Sequence, residues 1–129
     1  NLTMKMHADR PEGANAISRH APEGVIVAGV EHRSSVLVPW RGEVQPWGLD
    51  RFEALTEASF EPVLALAPEL VIFGSGARLR FPPPAILKAL MARRIGFEVM
   101  DTPAACRTYN VLLAEGRAVV AALLFERGG

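Results

Sequence analysis

Three apolar runs alternate with two helical patterns between Leu70 and Phe125, and this order leaves few folds open to the chain. Leu70-Val71-Ile72-Phe73 is apolar at every position, as in a strand buried on both faces. Pro82-Pro83-Pro84 open a helical stretch that runs to about Arg94. Ile86, Leu87, Leu90 and Met91 form its apolar stripe, and Gly96 is its natural stop. Phe97 to Met100 is a short strand. Thr102 then reads as the N-cap, and Pro103 as the first residue, of a helix reaching about Glu115. Gly116-Arg117 turn the chain into a last buried strand, Ala118 to Phe125. Strand, helix, strand, helix, strand with short links predicts parallel pairing through right-handed crossovers, a C-terminal βαβαβ unit.

The first half has a different rhythm. Ala16 to His20 alternates, Pro22-Glu23-Gly24 is a turn signal, and Val25 to Ala28 is a β-branched run stopped at Gly29. Glu31 to Ser35 is polar and reads as the next turn, and Val36-Leu37-Val38 as a third short strand ended by Pro39. Three short strands at near-even spacing predict an antiparallel meander. Trp40 to Leu49 is an irregular excursion. Phe60, Val63, Leu64 and Ala67 then fall on one helical face, with Pro62 early and Pro68 at the end. Residues 1–13 are polar and irregular and read as a flexible N-terminal segment. The expectation is one domain over 14–127, α/β with α+β character: a central mixed β-sheet with an N-terminal antiparallel meander.

Composition narrows the function classes. Fourteen basic residues cancel fourteen acidic ones in 129, which argues against binding to nucleic acid or to an anionic membrane by bulk charge. The longest apolar run, eight residues, is far short of the ~20 needed to cross a bilayer. One cysteine excludes an internal disulfide and a Cys-rich zinc site. His7, His20 and His32 have no metal-ligand spacing, so neither metal nor cofactor is expected. Twelve of the fourteen basic residues are arginine and alanine is abundant, the codon bias of a GC-rich bacterium, which points to the cytoplasm.

Ligands in a parallel layer meet the carboxyl ends of the strands. Two loops leave such ends here, Gly74-Ser75-Gly76 and Asp101-Thr102, and neighbouring strands would face them across one crevice. Arg78 and Arg80 follow the first loop; Arg107 and Asn110 share one helix face after the second. These groups are candidates to hold a small anion or a partner's carboxylate. The glycine pattern is neither a dinucleotide fingerprint nor a Walker A loop, since Leu79 stands at the third-glycine position and no Gly-Lys-Ser/Thr follows. The bland reading of the loop is a tight turn, and of Asp101 a complement to the helix dipole. Cys106 sits early in a helix beside Arg107, but without a base at a recognisable spacing it reads as a small buried residue rather than a nucleophile. Trp40 and Trp47 each follow a proline and are either interface anchors or caps on the open sheet face.

These residues together resemble a known family. Pro68 to Gly76, Pro82-Pro83-Pro84, Gly96 to Thr102, Ala104 to Asn110 and Leu113 to Arg117 look like the Mth-type domain, a domain of unknown function (family 498). The resemblance covers roughly residues 14 to 125 and is strongest from 68 to 117. Where the family commonly has Gly-Thr-Gly, Ser75 keeps the hydroxyl. The resemblance implies a three-layer fold, a mixed sheet and helices on one side. It implies no established reaction. A mitochondrial member acts in the assembly of a membrane complex, so the transferable idea is protein interaction.

Three functions stay open on the sequence. An interaction or assembly-factor domain predicts an exposed apolar patch. A small-anion or metabolite-binding protein predicts an open pocket with convergent Arg78, Arg107 and Asn110. An enzyme predicts a perturbed Asp101 or Cys106.

Overall fold

A computed structural model describes residues 13–127. The flexible segment expected over 1–13 therefore lies, Gly13 apart, outside the described residues. Two sheets form. Strands β1 (Ile17–Ala21), β2 (Gly24–Val27) and β3 (Val30–His32) make a small antiparallel sheet. Strands β4 (Val36–Pro39), β5 (Gln45–Pro46), β6 (Leu70–Gly74), β7 (Gly96–Met100) and β8 (Val119–Leu123) make a larger one in the order β5-β4-β8-β6-β7. There β6 runs parallel to both β7 and β8, and β4 runs antiparallel to β8. The helices are α1 (Glu61–Leu66), α2 (Lys88–Ala92) and α3 (Thr102–Ala114), with 3-10 turns leading into the first two.

The C-terminal βαβαβ unit is as the apolar runs predict, and the larger sheet is mixed. The meander has a different third strand. Val36 to Pro39 is buried at every position: Val36 and Val38 enter one core and Leu37 the other. A run apolar on both faces belongs inside a layered sheet, not in an outer one with a wet face. The meander is completed instead by Val30–His32, which overlaps the start of the polar stretch Glu31 to Ser35. Val27 pairs with Val30 across a two-residue loop, Ala28-Gly29, with φ of 50° and 81°. Positive φ at both positions marks the hairpin turn usually signalled by Asn-Gly, and Ala-Gly hides it.

The expectation of helices on one side does not hold. Alternate residues of β6 feed opposite cores. Leu70 and Ile72 pack with Ala105, Cys106, Tyr109 and Leu113 of α3 and with β1 and β2. Val71 and Phe73 pack with Val63 of α1, Leu90 of α2, Trp47 and Phe60. The strand order gives the reason. The path from β6 to β7 moves outward, and the path from β7 to β8 returns across β6. Two right-handed crossovers in opposite directions place their helices on opposite faces. The three layers are α1 with α2, the five-stranded sheet, and α3 beside the small sheet.

Two helix ends also differ from the sequence reading. Helix α2 stops before Gly96: Arg94 takes the left-handed conformation, φ 57°, while its N–H bonds Met91 O and the Ile95 N–H bonds Leu90 O. This is a Schellman ending with Leu90 and Ile95 buried in the same core, so packing overrides the preference for glycine. Gly96 instead starts β7. Helix α3 is capped by Asp101, not Thr102: the Asp101 carboxylate accepts the Ala104 N–H at 2.9 Å. Thr102 is freed for another task.

Candidate functional site

The carboxyl ends of β6 and β7 are neighbours, as a crevice between the two loops requires. The crevice is closed by the chain's own groups. The Ser75 N–H bonds Met100 O, and the Thr102 N–H bonds Gly76 O, both at 2.8 Å. The Thr102 hydroxyl accepts the Gly76 N–H and donates to Leu124 O, each at 2.9 Å. A Cβ at Gly74 would stand 2.9 Å from Thr102 Oγ1 and 3.0 Å from its Cα. At Gly76, φ is 103° and a Cβ would meet the Arg80 guanidinium at 2.8 Å. The loop glycines make room for Thr102 and Arg80 rather than for a ligand.

The start of α3 offers no free donor to an anion. Of its first N–H groups, Thr102 bonds Gly76 O, Pro103 has none, Ala104 is capped by Asp101, and Ala105 makes the first helical bond to Asp101 O. Anion binding at a helix start needs unpaired N–H groups, and the carboxylate of Asp101 already occupies that place. Beside the closed crevice lies a dent of about 170 Å³ lined by Ala21, Pro22, Gly76, Ala77, Thr102, Pro103, Leu124 and Phe125, with no charged side chain.

Of the expected crevice residues, the structure brings together Gly74, Ser75, Gly76, Arg80, Asp101 and Thr102. Arg78 is exposed on the loop, and Arg107 is exposed on α3. Asn110 is committed elsewhere. Its amide accepts the Ile17 N–H at 2.9 Å and donates to Ile17 O at 2.8 Å, fastening β1 to α3. Tyr109 beside it is fully buried and donates its hydroxyl toward Asn15 O at 2.9 Å and Pro39 O at 3.1 Å. The Arg-Thr-Tyr-Asn run thus ties the two halves of the chain together. The convergence of Arg78, Arg107 and Asn110 expected of an anion pocket is absent.

Ser75 and Arg80 form the most connected polar group at this end. The Ser75 hydroxyl accepts the Arg80 N–H at 3.0 Å and donates to Arg78 O at 2.8 Å. The Arg80 guanidinium donates to Ser75 O and to Glu126 Oε1, each at 2.7 Å, and lies 4.7 Å from the Phe52 ring centre. Glu126 also accepts the Phe52 N–H at 2.8 Å. Glu126 was not legible in the sequence: it lies just past the last strand, and no motif marks it.

Partial burial pushes the Glu126 carboxyl up, but the hydrogen bonds from Arg80 and Phe52 and the charge of Arg80 together outweigh it. The net result is a pKa held below the ordinary carboxylate value. A depressed folded pKa contributes stability that is present above the unfolded value, about 4.3, and is lost as pH falls through the folded value. Glu126→Gln is therefore expected to lower Tm at pH 7 by about 3 °C, with the gap to wild type closing below about pH 4. Thermal melts from pH 3 to 7 check this; a gap that does not change with pH would assign the loss to packing.

The enzymatic candidates do not assemble. Cys106 is fully buried. Burial pushes its thiol up to about 12, against a smaller opposing pull from Arg107. A thiol reagent at pH 8 is expected to leave the folded chain unmodified and to titrate its single cysteine once guanidinium unfolds it. Rapid labelling of the folded protein would restore a nucleophilic role. Asp101 is used as a cap. Among the described residues no three His, Cys, Asp or Glu side chains cluster as a metal site.

Trp47 is core, not an exposed anchor. It is 7% exposed, packs edge-on against Phe60 and Phe73, and donates its indole N–H to Ser59 O at 2.8 Å. Trp40 is half-buried against the core beside α3. Neither tryptophan is among the strongly exposed large hydrophobic residues. Leu79 and Phe81, on either side of inward-turned Arg80, are 52% and 68% exposed. No helix among the described residues is long and apolar enough to cross a membrane.

Known proteins share this fold. Residues 17–124 match the model of a family described as a protein of unknown function, DUF498/DUF598. An uncharacterized protein of Rhodobacter capsulatus is 37% identical over 113 residues, 87% of this chain and 86% of that protein. The NADH dehydrogenase [ubiquinone] 1 alpha subcomplex assembly factor 3 of Bos taurus is 41% identical over 88 residues, 67% of this chain. The match spans about half the length of that relative. A crystal structure of a Bordetella parapertussis protein superposes with a TM-score of 0.83 at 34% identity, covering 90% of this chain and all of the other. A Bordetella pertussis protein described as an Mth938-like domain gives 0.80 at 28% identity, covering 90% and 89%. With the two-sheet α/β architecture and these matches in hand, the chain belongs to the DUF498/DUF598 family and has the fold of the Mth938-like domains.

Proposed function

We propose that this chain is a non-catalytic interaction domain that acts in assembling a larger protein complex. One observation carries the reading. The place where an α/β layer ordinarily receives its ligand is filled by Thr102, Ser75 and Arg80, and the same contacts hold Leu79 and Phe81 out in solvent. A fold that spends its strand ends on closing itself and fixing an apolar loop is built for display rather than for turnover. The name of the bovine relative, an NADH dehydrogenase assembly factor, supports a role of this kind. The partner is then a subunit or a second assembly protein of a multi-subunit complex. The arginine-rich, single-cysteine composition supports a cytoplasmic place for it.

Removing the gene from its native host and resolving intact complexes on native gels tests the reading. One multi-subunit complex is expected to fall, with its partial assemblies accumulating, and the restored gene should reverse both. Unchanged complexes together with accumulation of one small metabolite would overturn it in favour of an enzyme.

A further inference from the structure

We infer that residues 77–94 form the docking surface, and that its occupant is a protein segment carrying apolar side chains flanked by carboxylates; this rests on the interaction reading above. The stretch reverses the usual polar-out pattern. Arg80 points inward to Ser75 O, Glu126 and the Phe52 ring, while Leu79 and Phe81 point outward. With the Arg80 N–H and the Arg78 carbonyl both bonded to the Ser75 hydroxyl, the loop is fixed before any partner arrives. Preorganised aromatic and aliphatic anchors bind with less ordering entropy to overcome. Downstream, the short helix α2 adds exposed Met91. Leu79, Phe81 and Met91 are three of the five large hydrophobic residues strongly exposed among the described residues; Val30 and Val111 lie on other elements.

Charge selects the partner. No Asp or Glu occurs between Glu69 and Glu98, yet Arg78, Arg80, Lys88, Arg93 and Arg94 all fall there. Arg80 is used internally, and the other four are exposed and make no ion pair among the described residues. In a chain of zero net charge this is an excess of cations in the same stretch of sequence as the apolar anchors. Arginines at an interface favour carboxylates, which they grip bidentately. A lipid surface fits less well. Helix α2 has five residues, too few for an interfacial amphipathic helix, and neither tryptophan belongs to this stretch.

Site-specific photocrosslinking in the native host tests the inference. A benzophenone amino acid is placed in the full chain at position 79, 81 or 91, with positions 30 and 111 as controls, and adducts are sequenced by mass spectrometry. The three test positions are expected to give about tenfold more protein adduct than the controls, to peptides combining apolar residues with Asp or Glu. Introducing Arg78→Glu and Lys88→Glu together should cut that yield about tenfold while leaving Tm within about 2 °C of wild type, both side chains being exposed. Adducts concentrated at 30 or 111 would overturn this surface but leave an interaction function standing. Adducts at none of the five positions would remove the interaction reading as well. Adducts to a second copy of the chain, or to peptides without acidic residues, would overturn the assigned partner. Binding to vesicles containing phosphatidylglycerol that Leu79→Glu abolishes would replace the protein partner with a membrane.

Discussion

Tyr109→Ala is expected to cost about 4 kcal/mol of folding stability, a large part of what holds a domain of this size together. The ring lies fully buried between α3 and the sheets, packed in the core with Ile17, Val36 and Val38. Truncation would remove that apolar area and open a cavity that the surrounding strands cannot collapse into. It would also leave the Asn15 and Pro39 carbonyls without the hydroxyl that bridges them. Tyr109→Phe separates the two effects. It keeps the ring and loses only the hydroxyl, so about 1–2 kcal/mol is expected. Urea unfolding of the three proteins measures both steps. A Phe variant as destabilised as the Ala variant would place the main contribution in the hydrogen bonds; an Ala variant within 1 kcal/mol of wild type, roughly the cost of a surface change, would remove Tyr109 from the core altogether.

The second large effect is expected at Thr102. Thr102→Val preserves shape but strands a buried N–H at Gly76 and a buried carbonyl at Leu124, at about 1–3 kcal/mol for each unsatisfied group. Thr102→Ser keeps the hydroxyl and should lose under about 1 kcal/mol. The comparison with Asp101→Ala decides which residue caps α3. The structure assigns the cap to Asp101, so that variant should lose about 1 kcal/mol and Thr102→Val clearly more. If Thr102 were the cap, Thr102→Val would lose only a cap's ~1 kcal/mol and Asp101→Ala almost nothing, so the size of the Asp101→Ala loss is the discriminating result. Denaturant midpoints of the three variants measure these losses.

Much of the fold is legible because its signals are local. Leu70 to Phe73 and Val119 to Leu123 are apolar at every position, and only a strand covered on both faces accommodates that. The same rule, applied to Val36-Leu37-Val38, places β4 in the large sheet, although an even spacing of strands suggests a meander. The Ala28-Gly29 turn is less legible, because alanine seldom signals a left-handed backbone. Arg94 is illegible for the same reason: glycine two residues later is the better local stop, and the burial of Leu90 and Ile95 overrules it.

The candidate site divides along the same line. The sequence by itself determines that β6 and β7 are strands joined through a helix in a parallel layer, and that two loops leave their carboxyl ends; their adjacency comes from the structure. It also determines which of those loops carries a glycine pair and a hydroxyl. These follow from periodicity and turn chemistry, which act over a few residues. Only the tertiary structure decides what fills the space between the loops. Thr102 reaches Gly76 and Leu124, Arg80 reaches Glu126 across 46 positions of sequence, and Asn110 reaches Ile17 across 93. Partners that distant leave no local pattern. An arginine turned inward between two exposed hydrophobic residues is therefore visible only once the chain has closed on itself.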